Sequence, residues 1–147
     1  MDKQKLKQYY DCWSSSWSAF RKWLELTDDW ETAAKTAKSS VYELVRQNSE
    51  VKSFAEAVAR NLIYETDVLC RSHDGTTRVT ASEIRPYYDL WTEAWKLFLN
   101  WAKNNCDEDT VAAQSKDYCT KWAVKGYPRF ASLAMAELET AYRGETK

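Results

Sequence analysis

The chain has 147 residues, 44% of them apolar and 29% charged, and a formal net charge of −1. This length and balance predict one folded domain with a sizeable core and exclude a disordered chain. The even mixing of cations with carboxylates excludes the basic footprint of a nucleic-acid binder.

Three Gly and two Pro are too few for the turns of a sheet protein, so a few long helices are expected. Eight Trp and nine Tyr must then go into a heavy core or an adhesive surface. The start, MDKQKLKQYYDCW, has no apolar run of the signal-peptide kind, and no stretch approaches about 18 consecutive apolar residues. A soluble, cytoplasmic protein without a transmembrane segment is the expectation. Cys12, Cys70, Cys106 and Cys119 lack C-x-x-C spacing and are read as free buried thiols.

The first helix is predicted over about 4–26. At 100° per residue, Leu6, Tyr9, Trp13, Trp17, Phe20 and Leu24 occupy an arc about 80° wide, which Tyr10 and Trp23 widen to about 140°. The Ser14-Ser15-Ser16 side is expected to face solvent. A second helix, about 29–47, starts at the capping-box-like Asp28-Asp29-Trp30-Glu31 and ends at Asn48, read as a left-handed C-terminal residue. The third runs over about 50–71, and His73-Asp74-Gly75-Thr76-Thr77 is the one clear loop.

The fourth helix, about 81–104, carries Ile84, Tyr87, Trp91, Trp95 and Phe98 on the same arc as the first. Pro86 either kinks it or marks its true start, with Thr80 to Glu83 a separate capping turn. The fifth, about 107–125, follows the box-like Asn105-Cys106-Asp107-Glu108 and ends at Gly126; Pro128 opens the sixth, about 128–143.

The chain repeats itself. YYDCWSSSWSAFRKW at 9–23 and YYDLWTEAWKLFLNW at 87–101 are identical at seven of fifteen positions with no gap, an offset of 78. Asp29, Thr32, Ala34 and Lys38 continue the register with Asp107, Thr110, Ala112 and Lys116, and Tyr64 falls opposite Tyr142. The predicted fold class is all-α: a pseudo-twofold six-helix bundle from tandem duplication of a three-helix unit. Its repeats are 1–72 and 78–147, packed as one domain. Leu90, Leu97 and Leu99 replace Cys12, Ala19 and Arg21, so Trp91 and Trp95 are expected to be more buried than Trp13 and Trp17.

Catalytic chemistry finds little support. One loop histidine, His73, and scattered cysteines predict no metal and no cofactor, and no Ser or Cys has a recognisable base partner. The scattered Gly make no phosphate loop. Asp11 and Asp89 are duplicated acids on the outer faces of their helices, read as electrostatic helix-start residues or ion-pair partners.

The stripe of Tyr9, Tyr10, Trp13, Trp17, Phe20, Trp23, Tyr87, Tyr88, Trp91, Trp95, Phe98 and Trp101 is therefore the candidate binding region. Core packing, a groove for a partner helix or apolar ligand, and base stacking are its three readings, in falling order of weight. The Tyr-Tyr-Asp-x-Trp-x-x-x-Trp start and the Phe54-Ala55-Glu56-Ala57-Val58 segment resemble phasins. They resemble still more the helical auxiliary subunits of polyhydroxyalkanoate synthases. That resemblance implies a non-catalytic helical protein on a polyester granule or beside its synthase. The expected function is a non-catalytic interaction or scaffold protein with a protein partner or a second copy of itself. An apolar ligand or granule surface is the alternative, and no nucleic acid is expected.

Overall fold

A computed structural model of the chain describes residues 1–25, 30–72 and 79–146, without the side chains of 30, 33, 34, 70 and 72. The described residues form an all-α fold, with no strand among them. Its helices are α1 (Lys3–Glu25), α2 (Trp30–Gln47), α3 (Lys52–Ser72), α4 (Ala81–Asn104), α5 (Glu108–Val124) and α6 (Pro128–Thr146), with a 3-10 turn at Ser49–Val51 before α3. All six lie within a few residues of the bounds that aromatic spacing and turn chemistry predict. The proposed Asp28–Glu31 cap and the His73–Thr77 loop fall wholly or partly outside the described residues.

Several helix ends differ from expectation for identifiable reasons. Thr80 and Glu83 form a reciprocal capping box: Glu83 N donates to Thr80 Oγ1 (3.3 Å) and Thr80 N donates to Glu83 Oε1 (3.0 Å). That turn belongs to α4 itself, and Pro86 lies inside the helix, where it removes one backbone donor. At α5 the capping residue is Asp107, whose Oδ1 accepts from Thr110 N at 2.8 Å. Those bonds to Thr110 hold the Asp107 carboxyl below its ordinary range. Asn105 cannot serve as that cap, because at φ 47° it is the left-handed residue following α4.

Gly126, at φ 100°, closes α5 as expected. Asn48 is not left-handed (φ −115°, ψ 38°); its side-chain amide instead donates to Leu44 O at 2.8 Å and satisfies a terminal carbonyl directly.

The chain divides into two compact units, Gln8–Tyr88 and Met1–Lys7 with Asp89–Lys147. In the unit Gln8–Tyr88, α2 packs on α3. Trp13 stacks on Phe54 of α3 (centroids 6.0 Å apart, planes 20° apart), and Tyr9 meets the same ring edge-on at 5.0 Å. Phe20, Trp23, Leu24 and Leu62 are fully buried. Ser16 is also fully buried, against expectation. Its helical angle falls inside the aromatic arc, so only Ser14 is left exposed and Ser15 half-buried. Its hydroxyl lies 3.9 Å from Cys12 Sγ, which shares its burial.

In the other unit α5 packs on α6, and Trp91 stacks on Phe130 of α6 at 5.7 Å and 13°. Trp95 is buried and Trp17 half-buried, as expected, whereas Trp13 and Trp91 are equally buried, 3% and 4% exposed, so the expected difference is absent for that pair. A phenylalanine from the third helix of each three-helix segment covers each ring, and the flanking leucines are not what decides it. Leu97 and Leu99 are themselves only half-buried, and Cys12 is as buried as Leu90. Phe130 follows Phe54 by 76 residues, two fewer than the offset in α1 and α4. In that register Ala55 and Leu62 answer Ala131 and Leu138, and all four are buried. The 78-residue match of Tyr64 with Tyr142 pairs an exposed ring with a buried one.

The polar tips of the buried rings find acceptors, as burial requires. Tyr118 Oη donates to Leu90 O (2.7 Å), Tyr142 Oη to Cys106 O (2.6 Å), Trp101 Nε1 to Gln114 Oε1 (2.8 Å) and Trp122 Nε1 to Glu93 Oε2 (3.2 Å). One buried hydroxyl stands apart: Ser115 Oγ on α5 has no hydrogen-bond partner. Replacing it removes an unsatisfied polar group from the interior and adds helix propensity. Ser115→Ala is expected to stabilise the protein by about 1 kcal/mol, read as a higher midpoint in urea at unchanged slope.

Candidate functional site

Most of the aromatic stripe is core. Tyr9, Trp13, Phe20, Trp23, Tyr87, Trp91, Trp95, Phe98 and Trp101 are buried, while Trp17 is half-buried and Tyr10 and Tyr88 are exposed. The structure brings two of these less buried rings together. Trp17 of α1 and Tyr88 of α4 lie 5.4 Å apart with their planes tilted by 50°, both within the unit Gln8–Tyr88.

These two rings line a surface cleft of about 550 Å³, completed by Arg21, Glu25, Ala81, Ile84 and Arg85. Helical spacing accounts for the set. Trp17, Arg21 and Glu25 are four apart along α1, and Ala81, Arg85 and Tyr88 recur at four and three along α4, so each trio forms one ridge. Both ridges lie on the flank of the stripe, where helix faces pass from core to solvent.

The charges in the cleft are ordered by one another. Arg21 Nε donates to Glu25 Oε1 at 2.9 Å, and this hydrogen bond raises the guanidinium pKa further above its already high value. The Arg85 guanidinium carbon sits 5.9 Å from the centre of the Tyr88 ring, a cation–π arrangement. A second depression, lined by Trp17, Ser18, Arg21, Lys22 and Glu25, continues the cleft along α1. The whole offers apolar ring faces beside donors of positive charge. That composition suits binding by stacking, burial of an anchor and pairing with carboxylates.

Sequence reasoning found Trp17 and Tyr88 and missed Arg21, Glu25, Ala81, Ile84 and Arg85 as cleft residues. The available signal was the four-residue spacing from Trp17, where Arg21 puts a cation at the position held by the apolar Leu99 in the second copy.

The unit containing α5 has a smaller cleft of about 310 Å³. Two of its lining residues pair, Lys121 Nζ with Glu93 at 2.9 Å; outside the cleft, Lys125 Nζ lies 4.6 Å from the centre of the Trp122 ring.

Asp11 and Asp89 are exposed, on the outer faces predicted for them. Cys12, Cys106 and Cys119 are free thiols, but only Cys12 is buried as expected; Cys106 and Cys119 are half-buried. His73 and the Cys70 side chain lie outside the described residues. No group of three or more His, Cys, Asp or Glu gathers to metal-binding distance among the described residues. Nor is any described helix long and apolar enough to cross a membrane. No family model, curated protein or solved structure matches the chain.

Proposed function

We propose that this is a non-catalytic, cytoplasmic interaction protein that recognises a partner protein through the Trp17–Tyr88 cleft, with the rest of its aromatic stripe serving as core. One observation carries the reading: the stripe is buried along most of its length, yet Trp17 and Tyr88 lie at the surface side by side in a cleft edged by ordered charges. Aromatic and arginine side chains together are what protein interfaces concentrate at their energetic centres. We infer too that a three-helix unit was duplicated. The recurrence of the Trp–Phe stack, as Trp13–Phe54 and Trp91–Phe130, supports that history.

The test is affinity capture of a partner with quantitative mass spectrometry. Trp17→Ala combined with Tyr88→Ala is expected to reduce recovery at least about tenfold, equivalent to about 1.4 kcal/mol. Tyr42→Ala, which removes a ring 77% exposed on α2, should leave recovery unchanged. Because Trp17 is only half-buried, its truncation should cost about 1–2 kcal/mol of stability, leaving the variant folded. Equal recovery by all three proteins would remove the cleft from the partner interface.

A further inference from the structure

Resting on that interaction reading, we propose that the Trp17–Tyr88 cleft is built for an acidic segment of a partner protein carrying one aromatic or branched aliphatic anchor. Complementary charge would surround an apolar floor. Among the described residues, the charged side chains lining the joined depressions are Arg21, Lys22 and Arg85 against the carboxylate of Glu25. The surplus is positive although the chain as a whole carries −1. Two of the three cations are arginines, whose planar guanidinium meets a carboxylate through two parallel bonds, a geometry a lysine cannot offer. A guanidinium carries five N–H donors, so the bond from Arg21 Nε to Glu25 does not exhaust it.

The floor supplies the other half of recognition. The Trp17 and Tyr88 rings meet at 50° and line a cleft of about 550 Å³, room for one large side chain. Ile84 and Ala81 extend the apolar wall. An anchor seated there brings carboxylates on neighbouring positions of its own chain within reach of Arg21 and Arg85 on opposite walls. A phosphodiester backbone fits less well, because Glu25 stands in the wall and the chain lacks the broad positive field that draws nucleic acid.

The experiment is selection of a random peptide library, displayed on phage, against the full chain, with the Trp17→Ala/Tyr88→Ala protein used for counter-selection. Enriched peptides are expected to be net negative with one aromatic or branched aliphatic position in common. A fluorescein-labelled peptide of that consensus should lose about tenfold or more in affinity with Arg85→Glu, and again on moving from low salt to about 0.5 M. Circular dichroism melts of the Arg85→Glu protein check that its fold is intact; Arg21→Glu gives an independent arm if they differ. Enriched peptides that depend on Trp17 and Tyr88 but are neutral or basic would overturn the acidic partner and leave the interaction reading standing. So would an affinity indifferent to both charge reversals. Absence of any peptide that depends on the two rings would overturn both.

Discussion

Trp13→Ala and Trp91→Ala are expected to destabilise the protein equally, by about 3–5 kcal/mol each. Each indole is almost wholly removed from water, and each is covered by one phenylalanine in a near-parallel stack. Truncation removes the largest side chain available and leaves a cavity that a rigid partner ring cannot collapse into. Against a typical total stability of about 5–15 kcal/mol, either change takes a large share. Double-mutant cycles with Phe54→Ala and Phe130→Ala should each give a coupling of about 0.5–1.5 kcal/mol, the usual worth of an aromatic pair beyond its buried area. Denaturant melts of the two single variants decide the matter. A cost under about 1 kcal/mol for Trp13→Ala alone would mean that the stack on Phe54 does not hold its indole as the stack on Phe130 holds Trp91.

Stability is also expected to fall as the pH rises from about 9 to about 11, by about 2–3 kcal/mol from one thiol. Burial pushes the Cys12 pKa from its ordinary value of 9.0 up to about 11, an effect only partly opposed by the hydrogen bond with Ser16. Between those values the unfolded chain has lost the proton that the folded chain retains. The unfolded state therefore binds fewer protons, and the slope of unfolding free energy against pH is negative. Desolvation raises the Tyr118 phenol as well, adding to the same slope once the pH passes its ordinary value of 10.0. Cys12→Ala should cost stability at neutral pH through lost packing, but flatten the decline above pH 9; Tyr118→Phe should flatten it above 10. Urea melts at stepped pH measure both. A decline in the Cys12→Ala protein as steep as in the parent would show that the thiol is not the group responsible.

The helices were legible in the sequence because their signals are local. Rings recurring at three and four residues fixed the buried faces of α1 and α4, and Gly126 and Pro128 bracketed the turn between α5 and α6. What was not legible depended on competition or on distance. Asn105 and Asp107 are both good capping residues; the choice fell to Asp107 because Asn105 is spent on the left-handed turn. Ser16 looked exposed by its chemistry, although its angle put it in the core. The covering of Trp13 by Phe54 joins residues 41 apart, and the two-residue slip between the third helices hid its recurrence. The cleft was missed for a similar reason. Its floor came from rings assigned to one stripe, while its walls came from charged flanks of two helices distant in sequence.

Pro86 carries a consequence for the time scale on which the cleft moves. With no amide hydrogen at that position, the Ser82 carbonyl loses its ordinary rung in the helical ladder. At the start of α4, Thr80 O accepts from Glu83 N and Ile84 N, beside the Thr80–Glu83 box. Ala81, Ile84 and Arg85, one wall of the cleft, surround this missing rung. Their amides should exchange with deuterated solvent well before those around Trp91 and Phe98, through a local opening that leaves the rest of the helix closed. The exposed Ala81 and Arg85 are then the part of that wall with the least burial to hold them, whereas Ile84 and Tyr87 on either side of Pro86 are both buried.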